Sequence, residues 1–178
     1  MLYLIGPDEP DFWPIFSASS EYSDGKPDPM DRWSARVLTD IAGKLGGEAV
    51  FPFGGPPYAP FYSWAMESGR AWPSPIGFLV HEEAGLFVSF RGAIRLTGTA
   101  EPSAAEAPCI SCNTRPCASA CPVSAFANGY DVAACKAHVR SEAGMDCRDG
   151  GCLARRACPV GQTRRLAQQS AFHMEAFL

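Results

Sequence analysis

The placement of the cysteines constrains this chain more than any other feature. All eight lie within residues 109–158, and none lies in the other 128 residues. They form two groups of four, and each group ends in a Cys-Pro dipeptide. The first group, spaced C-x2-C-x4-C-x3-C, comprises Cys109, Cys112, Cys117 and Cys121. The second group, spaced C-x11-C-x4-C-x5-C, comprises Cys135, Cys147, Cys152 and Cys158. Such dense thiols are typical of a metal centre rather than of ordinary core packing.

The two Cys-Pro dipeptides predict that the groups exchange one ligand. A [4Fe-4S] cluster needs four thiolates, and in two-cluster ferredoxins the Cys-Pro of each motif binds the cluster held by the other. Proline fixes its own φ and holds the preceding residue in an extended conformation, which would turn Cys121 and Cys158 away from their own motifs. The spacing therefore predicts two [4Fe-4S] clusters. One would be bound by Cys109, Cys112, Cys117 and Cys158, and the other by Cys135, Cys147, Cys152 and Cys121.

Zinc sites and disulfides are the alternatives for eight cysteines. Zinc ribbons usually carry paired C-x2-4-C knuckles, and only Cys109 and Cys112 have the tight C-x2-C form. A disulfide framework needs an oxidising compartment. Residues 1–7 have neither a basic region nor an apolar stretch of signal-peptide length, so a reducing cytoplasmic location is expected. A zinc-stabilised interaction module without redox chemistry remains the alternative function.

Composition limits the partners and the size of the fold. A net charge of −4 and a pI of about 5.3 provide no basic field for nucleic acid. No apolar run approaches the roughly 20 residues that span a bilayer, so no membrane partner is expected. The 178 residues suffice for two small domains. We expect an α+β protein, with a small α/β cap domain at residues 1–100 and a two-cluster ferredoxin-like domain with a C-terminal helix at 101–178.

Local patterns predict the elements of both domains. Asp31 is expected to cap a helix that runs to about Leu45. The buried face of this helix would carry Trp33, Val37, Leu38, Ile41 and Leu45. A β-hairpin is expected between residues 76–80 and 86–90, the second strand continuing to residue 96 with a bulge at Gly92. Other strands are expected at 2–5 and 49–53, an apolar turn or a short helix at 12–16, and helices at 61–68 and 163–177.

Part of the chain resembles a known family. Residues 76–96, the linker and Cys109-Ile110-Ser111-Cys112 resemble the epoxyqueuosine reductase and reductive dehalogenase family. The isolated Cys135 ahead of a closing C-x4-C-x5-C-P is also similar to that family's second motif. The resemblance runs from about Asp31 to Gly161. It implies a double [4Fe-4S] domain behind an α/β cap that holds a cobalamin, and hence a cobalamin-dependent reductase.

Three departures from the family favour an electron-transfer protein. The 108 residues before the first cysteine are fewer than a full cap of the family contains. The proton donor of the family's Asp-x-Ala-Pro motif is replaced by Pro57 in Pro57-Tyr58-Ala59-Pro60. The first cysteine motif has four residues where two are usual. The expected function is electron transfer to or from a redox partner protein, and the sequence leaves open whether the chain is an enzyme of the oxidoreductase class.

The cap also contains residues suited to a small-molecule ligand. Tyr58, Trp64 and Trp72 could supply stacking surface, and Arg91 a positive charge, near the glycine- and proline-rich loop at 54–60. A cap that only shields the clusters from solvent is the competing interpretation.

Overall fold

The computed structural model describes residues 1–99, 101, 103, 105–162 and 166–178. The described elements mix helix and sheet, which is compatible with the predicted α+β class. In chain order they are β1 (Leu2–Ile5), α1 (Phe12–Ser17), α2 (Ser20–Ser23), α3 (Pro29–Lys44), β2 (Glu48–Val50), α4 (Phe61–Glu67), β3 (Ala71–Pro73), β4 (Leu79–His81), β5 (Gly92–Arg95), α5 (Pro108–Ser111), α6 (Val132–Arg140), α7 (Met145–Gly150), α8 (Leu153–Arg156) and α9 (Ala167–Phe177).

The chain divides into two compact units that are discontinuous in sequence. Unit 1 is Met1–Ser68 with Ser89–Ser103, and unit 2 is Gly69–Val88 with Ala104–Leu178. The sequence predicts a single boundary after residue 100. The structure differs because residues 69–88 pack with the cysteine-rich segment, where Ile76, Val80 and Leu86 share a core with Cys117 and Cys158.

Unit 1 is built on a three-stranded antiparallel sheet in the order β1-β5-β2. Leu2 and Glu48 both lie opposite Arg95, and Ile5 lies opposite Gly92. The predicted bulge at Gly92 is wrong, because Gly92 is the first residue of β5 and pairs directly with Ile5. Glycine suits this position for a different reason. A Cβ at Gly92 would lie 2.5 Å from Leu38 Cδ1 on α3, the helix that packs against the sheet.

Helix α3 covers this sheet, but its start and its buried face differ from prediction. It begins at Pro29 after Asp28, so Asp31 lies inside the first turn and binds Arg91 instead of capping the helix. Ile41 is 38% exposed and Leu45 is 58% exposed. The buried positions are Met30, Ser34, Leu38 and Ala42. Ser34 and Ala42 are small, so they let α3 lie close to the sheet. Ile41 and Leu45 therefore lie at the sides of the helix and not on its buried face.

The strand at residues 2–5 and the short helices beginning at Phe12 and Phe61 confirm their predictions. The strand expected at 49–53 is found at Glu48–Val50.

Unit 2 contains a hairpin whose partners differ from the predicted ones. β3 pairs with β4, with Trp72 opposite Val80. Between them a tight turn is closed by hydrogen bonds from the Ser74 amide to the Phe78 carbonyl (2.9 Å) and from the Gly77 amide to the Ser74 carbonyl (2.9 Å). The predicted strand at 86–90 is therefore wrong, and this segment instead buries Leu86 in the unit 2 core.

The C-terminal part of unit 2 is helical. Helix α9 packs against α7. It confirms a helix in the predicted region, although residues 163–165, where that helix was expected to start, lie outside the described residues. Within the described part of the chain, no helix combines the length and apolar character needed to cross a membrane.

Candidate metal centres

Two cavities in unit 2 contain all eight cysteines. The first cysteine cavity measures about 340 Å³ including space open to solvent, and it is lined by Cys109, Cys112, Cys117 and Cys158. The second cysteine cavity measures about 320 Å³ on the same basis, and it is lined by Cys121, Cys135, Cys147 and Cys152. Each cavity thus combines three cysteines of one sequence motif with the Cys-Pro cysteine of the other. This is the crossed grouping that the spacing predicts.

Short elements position the cysteines of the first cavity. Cys109 lies on α5, and Cys112 follows that helix directly. Cys117 lies in a 3₁₀ turn, Pro116–Ala118, which begins after Arg115 in a left-handed conformation (φ 42°). Cys158 comes two residues after the end of α8. Both Cys117 (6% exposed) and Cys158 (8%) are buried, so the deep side of this cavity is formed by both motifs.

Helices hold the second set. Cys135 lies on α6, whose first turn is capped by a hydrogen bond from the Ala134 amide to the Asp131 carboxylate (2.9 Å). Cys147 lies on α7, and Cys152 immediately precedes α8. Cys121 comes from the first motif and accepts a hydrogen bond from the Ala125 amide (3.3 Å). The second cavity therefore depends on three helices and on one cysteine outside them.

The segment 69–88 forms one wall of the first cavity. Gly85 has φ 55°, and a Cβ there would lie 2.1 Å from the Val160 carbonyl oxygen and 3.1 Å from Cys158 Sγ. Arg155 donates to the Leu86 carbonyl (2.6 Å) and stands 5.2 Å from the centre of the Phe87 ring. These contacts fasten the residues on either side of Cys158 to the segment. This role of the segment was not predicted from the sequence, in which the apolar residues Val80 and Leu86 were the available signal.

The thiols are in surroundings that disfavour their charged form. Burial raises the pKa of Cys109 and Cys117, and neighbouring thiols of the same cavity raise it further. Burial also raises the pKa of Cys135 and Cys147. Four thiolates close together in an apolar cavity repel one another and lose hydration, so a bound cation is needed to keep them deprotonated.

Hydrogen-bond donors surround the sulfurs of the second cavity. The Tyr130 phenol donates to the Cys135 sulfur, and this bond lowers the pKa of that thiol against the effect of burial. Burial raises the pKa of Tyr130, so its phenol is a neutral donor. Its ring stacks on Phe126 (centroids 4.9 Å apart) and meets the edge of Phe78 (5.2 Å). The Leu153 amide also donates to Cys147. Hydrogen bonds of this kind help to set cluster potentials.

The donor set fits an iron–sulfur cluster chemically. All eight cysteines are free thiols, and soft thiolates are the ligands that iron–sulfur clusters take. Among the described residues, no three His, Cys, Asp or Glu side chains form a group that could hold a metal ion. The thiolates of a four-iron cluster each bind a different iron, so they are not required to converge on one point.

The four residues assigned to a small-molecule ligand are divided between the units. Tyr58 is 67% exposed in unit 1, where Trp64 lies half-buried on α4. Arg91, also in unit 1, binds Asp31 and donates to Ser34 Oγ (3.2 Å). Trp72 lies on β3 of unit 2, partly buried against the core. The assignment of a ligand to these residues stays a prediction, as does cobalamin binding.

The arginines beside the second motif have local partners. Arg156 forms an ion pair with Asp146 (2.6 Å), and Arg155 binds the segment 69–88 as described above. Arg164 and Arg165, which extend this basic run in the sequence, lie outside the described residues.

The chain matches no family model, no curated protein and no solved structure. The relation to the epoxyqueuosine reductase and reductive dehalogenase family stays a prediction from the cysteine motifs and the segment before them.

Proposed function

We propose that this chain is an iron–sulfur electron-transfer protein that carries two [4Fe-4S] clusters and exchanges electrons with a redox partner protein. The proposal is carried by one observation, the crossed division of eight free thiols between two cavities of similar volume. It is supported by the sequence spacing, in which each motif ends in a Cys-Pro of the kind that two-cluster ferredoxins use to exchange ligands.

The surroundings of the thiols suit this function. When bound, each cluster supplies a centre that takes up and releases single electrons. Val80, Leu86 and Phe126 cover part of the cysteine sites with apolar surface, and the Ala125 and Leu153 amides offset negative charge on the sulfurs. Apolar surroundings limit the change in hydration when an electron arrives.

The two cavities are neighbours within one core. Ala154 is 0% exposed and packs in the same apolar cluster as Cys117 and Cys158. It also lines the second cavity. Because Ala154 lies beside both sets of cysteines, two bound clusters would be neighbours. This arrangement suits electron transfer between them.

Metal analysis of anaerobically purified and reconstituted protein tests the proposal. We expect about eight irons and a similar amount of acid-labile sulfide per chain, with a broad visible absorption that dithionite bleaches. Stoichiometric zinc with no iron would contradict the proposal and favour the interaction module. Sharp corrin bands in protein isolated from cells supplied with cobalamin would favour the reductase.

Double variants test the crossed ligand sets. We expect Cys158→Ala and Cys121→Ala each to lower the iron content by about half. Adding Cys117→Ala to Cys158→Ala should remove nothing further, because both residues are assigned to one cluster. Adding Cys135→Ala to Cys158→Ala should abolish both clusters. If the second pair retained one cluster and the first pair none, each motif would bind its own cluster and the crossed sets would be wrong.

A further inference from the structure

Two buried polar side chains in unit 2 lie at the cysteine cavities without a hydrogen-bond partner. Ser74 Oγ and His138 Nε2 are both inaccessible to solvent and make no hydrogen bond to any described residue. Ser74 lines the first cysteine cavity and His138 lines the second. A buried donor left unsatisfied destabilises the folded protein, so such groups usually have a partner.

The backbone of Ser74 is fixed by its turn. Its amide donates to the Phe78 carbonyl and its own carbonyl accepts from the Gly77 amide, both at 2.9 Å. The residue is only 8% exposed and follows β3 directly. The hydroxyl is thus held at the wall of the first cavity by hydrogen bonds that do not involve it.

His138 is held as firmly on the other side. It lies three residues after Cys135 on α6, which puts both on one face of the helix. Its carbonyl accepts from Ser141 Oγ (2.7 Å) and from the Ser141 amide (2.9 Å). Gly144 packs so closely that a Cβ there would lie 1.9 Å from the His138 carbonyl oxygen. The imidazole therefore keeps its position beside the second set of thiols.

Neither group is hydrogen-bonded to a cysteine sulfur or to any other described residue. A hydrogen-bond acceptor bound in each cavity would supply the partner that each side chain lacks.

We propose that Ser74 Oγ donates a hydrogen bond to an inorganic sulfide of the first cluster and His138 Nε2 to one of the second. Each residue is a positioning residue that raises the reduction potential of its own cluster. The reduced cluster carries one more negative charge than the oxidised cluster, so a donor to its sulfide stabilises the reduced state more. This inference rests on the proposed function, because it requires a cluster in each cavity.

The test is a redox titration of the reconstituted full-length protein, followed by electron paramagnetic resonance. Ser74→Ala should lower one of the two potentials, and His138→Leu should lower the other. The expected change in each reduction equilibrium is about tenfold, or about 59 mV for a one-electron couple. Ser74→Thr and His138→Gln keep a donor and should hold both potentials near those of the unmodified protein.

Ser89→Ala is the matched control. Ser89 Oγ is also buried without a partner among the described residues, but Ser89 lines neither cysteine cavity. It should leave both potentials unchanged, although it removes a hydroxyl of the same kind.

A measurement on the unmodified side chain covers the case in which a variant fails to fold. With ¹⁵N-labelled histidine, the reduced second cluster should show a weak nitrogen coupling that His138→Gln abolishes. Iron in both sites with unchanged potentials in Ser74→Ala and His138→Leu would overturn the inference, as would a shift of the same potential by both. Failure of the unmodified protein to bind iron is a different result, because it would overturn the proposed function first.

Discussion

At Gly85 the backbone is left-handed and pressed against another segment. A side chain there would cost about 1–2 kcal/mol for the conformation, because L-residues rarely adopt positive φ. The second cost is the clash with the Val160 carbonyl oxygen, 2.1 Å from a built Cβ. A backbone atom moves aside less easily than a flexible side chain, and overpacking of this kind costs about 1–3 kcal/mol.

Gly85→Ala should therefore lower the free energy of unfolding by about 2–5 kcal/mol, measured by urea titration of the reconstituted protein. Gly77→Ala is the control, since Gly77 has φ 79° but nothing within 4 Å of its built Cβ. Its cost should be limited to about 1 kcal/mol of backbone strain. Equal losses in the two variants would show that the contact with Val160 contributes nothing.

At the scale of elements, an ion pair joins α2 to α3 in unit 1. Arg36 Nε lies 2.5 Å from Glu21 Oε1, and Nη2 lies 3.0 Å from Oε2. The Glu21 side chain is only 10% exposed. The hydrogen bond from Arg36 lowers the pKa of Glu21 from about 4.5 to about 2. Arg32 of α3 also binds this region, through the Asp24 carboxylate and the Glu21 carbonyl, so two arginines orient α2 on α3.

The pH dependence follows from the direction of this shift. A carboxyl group whose pKa is lower in the folded state stabilises the protein above the unfolded pKa, and this stability is lost as pH falls toward the folded pKa. Arg36→Ala should therefore destabilise unit 1 at pH 7 and have a shrinking effect between about pH 4.5 and pH 2. Thermal unfolding of both proteins over this range measures the difference.

Lys44→Ala is the control for this pair. Lys44 and Asp40 are 2.7 Å apart, but their side chains are 73% and 61% exposed. Removing so exposed a pair should change stability by no more than about 0.5 kcal/mol at any pH. A pH-independent effect of Arg36→Ala would mean that the loss comes from packing of the arginine stem.

At the scale of the whole molecule, the ligands of both proposed clusters belong to only one of the two units. All eight cysteines belong to unit 2, and unit 1 has its own sheet and the helix α3 packed on it. Buried thiolates without a cation repel one another, and small metal domains generally unfold when the metal is removed. Removal of iron should therefore affect the units differently.

Hydrogen exchange before and after iron removal tests this expectation. The amides of residues 109–158 should lose protection in the iron-free protein, while those of β1, β5 and α3 keep it. Zinc-reconstituted protein is a useful comparison, since any recovery of protection would show that a cation is enough to hold the loops. Full protection of residues 109–158 without metal would contradict the metal dependence.

Sequence was most informative where the constraint is local. The Cys-Pro dipeptides and the intervals between cysteines act over a few residues, and from them follows the grouping that lines the two cavities. The strand at 2–5 and the helices at 12 and 61 could be predicted for the same reason. The apolar periodicity predicted the helix α3 but not which of its residues are buried, because their burial depends on how closely the helix packs on the sheet.

The tertiary structure decided what depends on contacts distant in sequence. Ser74 and Gly85 precede the first cysteine, yet one lines its cavity and the other packs against Cys158. No local pattern marks them, since a serine in a turn and a glycine in a loop are ordinary residues. His138 looked like an isolated histidine, and only the fold leaves its Nε2 buried beside four thiols. The cysteine spacing thus determined which residues gather, while long-range packing decided what surrounds them, because burial and hydrogen bonding depend on the whole fold.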